Sequence, residues 1–119
     1  MSKLQAAAKS LPADEQQLST ETVFETLSNR RRRFTLHYLS QVGESVTIRE
    51  LSTQIAAWEN GVELHAVTPK QRKRVYTALH QTHLPTMDRL DVIVYAKDRK
   101  TISSTDQIQD FDVYLDIVP

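Results

Sequence analysis

The chain has no cysteine and only two glycines, Gly43 and Gly61, among its 119 residues. Without cysteine there is no disulfide, no thiolate metal ligand and no thiol nucleophile. Two isolated glycines exclude a glycine-rich loop that cradles phosphate. Long apolar runs are lacking too. Stretches such as Val92–Ala96 fall far short of the roughly 20 residues a membrane helix needs, and the N-terminal residues show no apolar core of a secretory signal. The expectation is a soluble, cytoplasmic protein with no membrane partner. Net charge is absent as well, with 15 basic and 15 acidic residues.

What is present is a hydrophobic share of 39%, enough for one core in a chain of this length. The charges are also unevenly spread. Residues 68–100 hold eight cations (Lys70, Arg72, Lys73, Arg74, Arg89, Lys97, Arg99, Lys100) against Asp88, Asp91 and Asp98, whereas residues 101–119 hold four aspartates and no cation. A polyanion senses charge within a Debye length of about 8–10 Å, so the zero sum does not argue against nucleic acid.

The hydrophobic spacing yields a series of helices. Residues 1–19, interrupted by Pro12, read as a flexible or loosely docked arm. Val23, Phe24 and Leu27 then share a helical face, and Asn29 caps a second helix, to about Gln41, that buries Phe34, Tyr38 and Leu39 and stops at Gly43. Thr47-Ile48-Arg49-Glu50 has the form of a capping box, opening a helix with the apolar stripe Ile48, Leu51, Ile55 and Trp58 that ends at Asn60-Gly61. After a polar loop of about nine residues, Thr68-Pro69-Lys70-Gln71 opens another helix, expected to reach His83 and stop before Pro85. Its buried side is Val75, Ala78, Leu79 and Thr82. The alternation Val92-Ile93-Val94-Tyr95, the charged turn Lys97–Lys100 and Thr101-Ile102-Ser103 form a β-hairpin. Ser104-Thr105-Asp106-Gln107 suggests a third capping box and a helix over residues 105–119 with the seam Ile108, Phe111, Leu115 and Val118.

Helices followed by a capped helix, a capped basic helix and a basic-tipped hairpin are the order of a winged helix-turn-helix. The fold class expected is therefore mainly α with a small β-hairpin, a winged helix-turn-helix over residues 20–104 with additional N- and C-terminal segments. The recognition helix, about 69–83, would enter the major groove of double-stranded DNA, and the wing, about 92–103, would lie on the adjacent backbone. Candidate DNA-binding residues are Thr68, Lys70, Gln71, Lys73, Arg74 and Thr77 on the helix, with Lys97, Arg99 and Lys100 on the wing. The first half of that helix has four cations and no anion, which a merely solvated face seldom shows.

The stretch Val23-Phe24-Glu25-Thr26-Leu27-Ser28-Asn29-Arg30-Arg31-Arg32-Arg33 with Tyr38-Leu39 resembles the opening of haloarchaeal winged-helix proteins. So do Val46-Thr47-Ile48-Arg49-Glu50-Leu51 and, most strongly, Arg72–Pro85 leading into Val92–Tyr95. The resemblance covers roughly residues 20–105 and implies an archaeal DNA-binding transcriptional regulator. It implies no operator and no inducer.

Other readings stay open beside this one. The Arg30–Arg33 run cannot all face one way on a helix, so one or two guanidinium groups touch phosphate or the whole run caps and pairs within the fold. Arg72, nearest the buried side of its helix, is either structural or part of the basic face. His80 and His83 stand at metal-ligand spacing, but no third ligand is near, so a packed or solvent-facing pair is preferred and no metal is expected. Trp58 and Tyr76 read as core. The apolar C-terminal seam needs a partner, either a second copy in a homodimer (preferred) or its own domain. No catalytic constellation and no cofactor motif is found, so an enzyme is not expected. The alternative function is a winged-helix interaction module that dimerises and recruits a protein without reading DNA.

Overall fold

In a computed structural model, which describes residues 18–111, the chain is mainly helical with a small three-stranded antiparallel sheet, an architecture compatible with a winged helix. Helix α1 (Thr20–Leu27) is capped by Ser19, whose hydroxyl accepts the Thr22 N–H. Helix α2 (Arg30–Val42) starts at Asn29, whose side-chain oxygen accepts the N–H groups of Arg31 and Arg32. It ends at Gly43 with φ 75°, a left-handed residue that glycine supplies without a Cβ clash. Strand β1 (Val46–Thr47) leads directly into α3 (Ile48–Asn60), which Gly61 closes in the same left-handed way with φ 64°. The long loop after it holds one 3-10 turn (Leu64–Ala66) before α4 (Pro69–Ala78).

Helix α4 does not stop at Pro85. A π turn (Leu79–His83) follows it and passes into α5 (Leu84–Arg89). Proline cannot donate the next helical hydrogen bond, and its ring crowds the carbonyl four residues back. The wide turn absorbs both defects, with the Leu84 N–H reaching Leu79 O. The inserted residue also rotates the face. Thr82, expected inside, is exposed, and His83 is buried in its place.

Strands β2 (Ile93–Ala96) and β3 (Thr101–Ser104) form the expected hairpin, and β1 pairs with the far side of β3, giving the order β1-β3-β2. Val46 lies opposite Ile102, which also faces Tyr95 across the hairpin, so three inward side chains from three strands meet. Leu36 and Leu39 of α2, Leu51 and Ile55 of α3, and Leu79 meet them in one core. The hydroxyls buried there are satisfied locally. Thr26 donates to Thr22 O at 2.7 Å, Thr35 to Arg31 O at 2.8 Å and Ser52 to Ile48 O at 2.7 Å.

Three expectations about burial need correction. Phe24 is 66% exposed, and Thr26 fills the inward position on α1. Phe34 and Tyr38 are only half-buried on the flank of α2, where Thr35 and Leu36 point inward. Trp58 is 40% exposed, its ring 5.1 Å from that of Phe34. The Thr47 box is half-formed: Thr47 accepts the Glu50 N–H, but the Glu50 carboxylate is taken by the Tyr38 hydroxyl. This contact and burial push the Tyr38 phenol up to about 12, with burial the larger cause.

The expected helix from Thr105 is, over its described part, a 3-10 turn (Asp106–Phe111). The Thr105 hydroxyl donates to Asp91 O at 3.0 Å and Val92 O at 3.2 Å. Of the preferred dimer seam, Phe111 is turned into its own core, fully buried, and Ile108 is part-buried against it. Leu115 and Val118, like the arm up to residue 17, lie outside the described residues.

Candidate nucleic-acid interface

Helix α4 begins with a complete capping box behind a proline at its first turn. Thr68 Oγ1 accepts the Gln71 N–H at 3.1 Å, and Gln71 Oε1 accepts the Thr68 N–H at 2.9 Å. The box fixes the start of the helix and also commits its two polar side chains. A bidentate contact to adenine uses both the oxygen and the nitrogen of a glutamine amide. Gln71 keeps only its amide N–H groups free for that purpose. Lys70, Lys73, Arg74 and Thr77 stand exposed on α4, and Gln81 is exposed in the π turn beyond it. Among the described residues, none of these three cations pairs with a carboxylate.

The wing turn lies beside this face. Lys97, Asp98, Arg99 and Lys100 are all exposed, and the Lys100 N–H closes the turn onto Lys97 O at 3.3 Å. Lys100 has φ 59°, a left-handed conformation that costs an L-residue roughly 1–2 kcal/mol. Its carbonyl accepts the Ile48 N–H at 3.0 Å, which ties the wing to the first turn of α3. A groove of about 580 Å³ results between α3, α4 and the wing. Arg49, Arg72, Lys73, Arg99 and Lys100 line it, together with Tyr76 and Pro69, and no acidic residue does.

The groove gathers Lys73, Arg99 and Lys100 from the sequence candidates and adds Arg49, Arg72 and Tyr76. Lys70, Arg74, Thr77 and Lys97 lie outside its lining, and Thr68 and Gln71 are engaged in the cap. Arg72 thus joins the basic face, and Tyr76 packs on the core while also lining the groove. Arg49 had one local signal, a cation two residues after the Thr47 cap. Its place beside the wing depends on the pairing of β1 with β3 and the adjoining Ile48–Lys100 bond.

The Arg30–Arg33 run is engaged within the fold. Arg30 stacks over Trp58, 4.7 Å from the ring centroid. Arg31 holds Glu59 in a two-pronged contact at 2.6 and 2.8 Å, which raises its pKa above the ordinary arginine value. Arg32 reaches back to the end of α1, donating to Thr26 O at 3.2 Å and Glu25 O at 2.9 Å. Arg33 donates to Leu27 O at 2.7 Å. Two guanidinium groups therefore satisfy carbonyls that the last turn of a short helix leaves unpaired.

The two histidines have separate partners. His80 is exposed, with Nδ1 2.7 Å from the Tyr95 hydroxyl. His83 is buried, with Nδ1 3.1 Å from Arg32 Nη1. Because that arginine nitrogen donates, His83 Nδ1 accepts and the imidazole is neutral. Burial, then the charges of Arg32 and Arg31, hold its pKa below the ordinary histidine value. Among the described residues, no group of three potential ligands could hold a metal ion, and no helix is long and apolar enough to cross a membrane.

No curated protein and no solved structure matches the chain. A family model does, over residues 24–103, a span from the second half of α1 through nearly all of β3 that takes in the whole groove. The chain belongs to the family DUF7344, described as a domain of unknown function.

Proposed function

We propose that this protein is a sequence-specific, double-stranded DNA-binding transcriptional regulator of the winged-helix kind, acting in the cytoplasm, as the resemblance to haloarchaeal winged-helix proteins suggests. Helix α4 is the recognition element in the major groove, and the wing turn lies on the neighbouring backbone. One observation carries the reading: Arg72 and Lys73 of α4 and Arg99 and Lys100 of the wing line one groove that no carboxylate lines. The left-handed Lys100 supports it, since a relaxed turn would place glycine there. Lys70, Lys73, Arg74, Thr77 and Gln81 are the side chains free to reach base edges, and Lys97, Arg99 and Lys100 suit phosphate.

A homodimer is part of the proposal. Its contact would fall to residues beyond Phe111, such as Leu115 and Val118, and light scattering on the full chain tests it. Fluorescence anisotropy tests the DNA reading, with duplex from the gene's own upstream region against a scrambled duplex, at low and high salt. Tighter binding to the upstream duplex, lost in the double variant Lys73→Glu/Arg74→Glu, is the expected result. Equal affinity for both duplexes would remove sequence recognition from the proposal. A variant that binds DNA normally but loses a protein partner would favour the interaction-module alternative.

A further inference from the structure

The groove has a shape that DNA contact alone does not require. A duplex backbone passes across a protein face, whereas this groove, open on its outer side, has a volume of about 580 Å³, within the roughly 300–1,000 Å³ of small-molecule sites. Its cations come from three separate elements: Arg49 on α3, Arg72 and Lys73 on α4, and Arg99 and Lys100 on the wing turn. Like charges drawn together without an acid repel one another, and a multiply charged anion would relieve that cost. The wall is not wholly charged, because Ile48, Pro69 and Tyr76 add apolar surface.

We propose that the groove binds a small organic phosphate carrying at least two negative charges. Its phosphates meet Arg49, Arg72 and the wing cations, and its organic body lies against Tyr76 and Pro69. Arginine's planar fork suits phosphate oxygens, and a tyrosine ring offers a flat face to an aromatic body. Lys73, Arg99 and Lys100 belong both to this groove and to the proposed DNA face, so ligand and duplex compete. The competition rests on the DNA reading, but the ligand site does not.

The probe is ADP, titrated calorimetrically into the full chain in metal-free buffer, with adenosine and pyrophosphate as its separate halves. ADP should bind more tightly than either half. The double variant Arg49→Ser/Arg72→Ser should weaken it by about tenfold or more, while Arg89→Ser, a cation on α5 away from the groove, should not. Tyr76→Leu should weaken ADP and leave pyrophosphate unchanged. Urea unfolding of each variant shows that the fold is retained. Failure of ADP to bind at millimolar concentration, or equal binding by the Arg49/Arg72 variant, overturns the site. In the anisotropy assay, ADP should displace labelled duplex, and undiminished duplex binding at saturating ADP overturns the competition. A protein that binds ADP but no duplex retains the site and refutes the DNA reading. One that binds duplex but not ADP does the reverse.

Discussion

Replacing Arg32 with methionine removes one guanidinium that joins three parts of the fold. It donates to Glu25 O at 2.9 Å, Thr26 O at 3.2 Å, Ser28 Oγ at 3.1 Å and His83 Nδ1 at 3.1 Å. The bonds to Glu25 and Ser28 lie at the exposed rim, where water can replace the arginine. Those to Thr26 and His83 are part-buried, and a hydrogen bond from a charged donor contributes about 1.5–3 kcal/mol. Two such bonds lost give an expected destabilisation of about 3 kcal/mol, with methionine retaining most of the aliphatic packing. That is a large part of the roughly 5–15 kcal/mol that holds a small domain. Urea denaturation followed by circular dichroism measures it. NMR titration of His83 supplies an independent readout, because the Arg32 charge is one cause of its lowered pKa and its removal should move the imidazole back towards the ordinary value. Arg32→Lys keeps a charge but not the planar fork, so it should leave His83 low and still lose most of the stability. A methionine variant within about 0.5 kcal/mol of the parent, or full stability in the lysine variant, would refute the reasoning.

Lys100→Gly should raise stability by about 0.5–1 kcal/mol by relieving the left-handed backbone, while weakening duplex binding; a variant that is less stable, or one that binds unchanged, counts against a cation held there for function. Phe111→Ala should cost about 3–5 kcal/mol in urea unfolding, because the ring is fully buried in the core, and a loss below about 1 kcal/mol would place Phe111 elsewhere. His83, neutral in the fold with a pKa below the ordinary 6.5, makes a contribution that is complete above that pH. The contribution is lost as pH falls from there through the folded pKa, because the unfolded chain binds the proton first. The acid loss should shrink in His83→Gln, and an identical pH profile in that variant would sink the assignment.

Local chemistry made much of this fold legible. The Thr68-Pro69-Lys70-Gln71 box, the two glycine stops and the alternation into Tyr95 each depend on residues within a few positions of one another, and each produces the element it signals. The failures share a different cause. Strand β1 is two residues long and exists through its pairing with Thr101 and Ile102, more than fifty positions away, so no periodicity announces it. The π turn changes the phase of the helix by one residue, which reverses the roles of Thr82 and His83 without any change in composition. Side-chain size also misled. Phe24 and Trp58 are large and substantially exposed, while the inward positions on α1 and α2 include Thr26 and Thr35, small enough for close approach and able to bond their own helix.

The basic clusters show the same division most sharply. The four consecutive arginines at the start of α2 match in number the four cations of Lys70–Arg74 on α4, yet their side chains are drawn to an aromatic ring, a carboxylate and the open carbonyls of α1. The cations of α4 pair with no carboxylate among the described residues, and the wing that docks beside them brings more cations and no lining acid. Charge density therefore does not mark the candidate interface. What marks it is the absence of an internal use for the charge, a property of the folded neighbourhood that depends on the pairing of β1 with β3 and on the adjoining backbone bond from Ile48 to Lys100. Moving the wing away from α3 would disperse the groove while leaving every cation in the sequence unchanged.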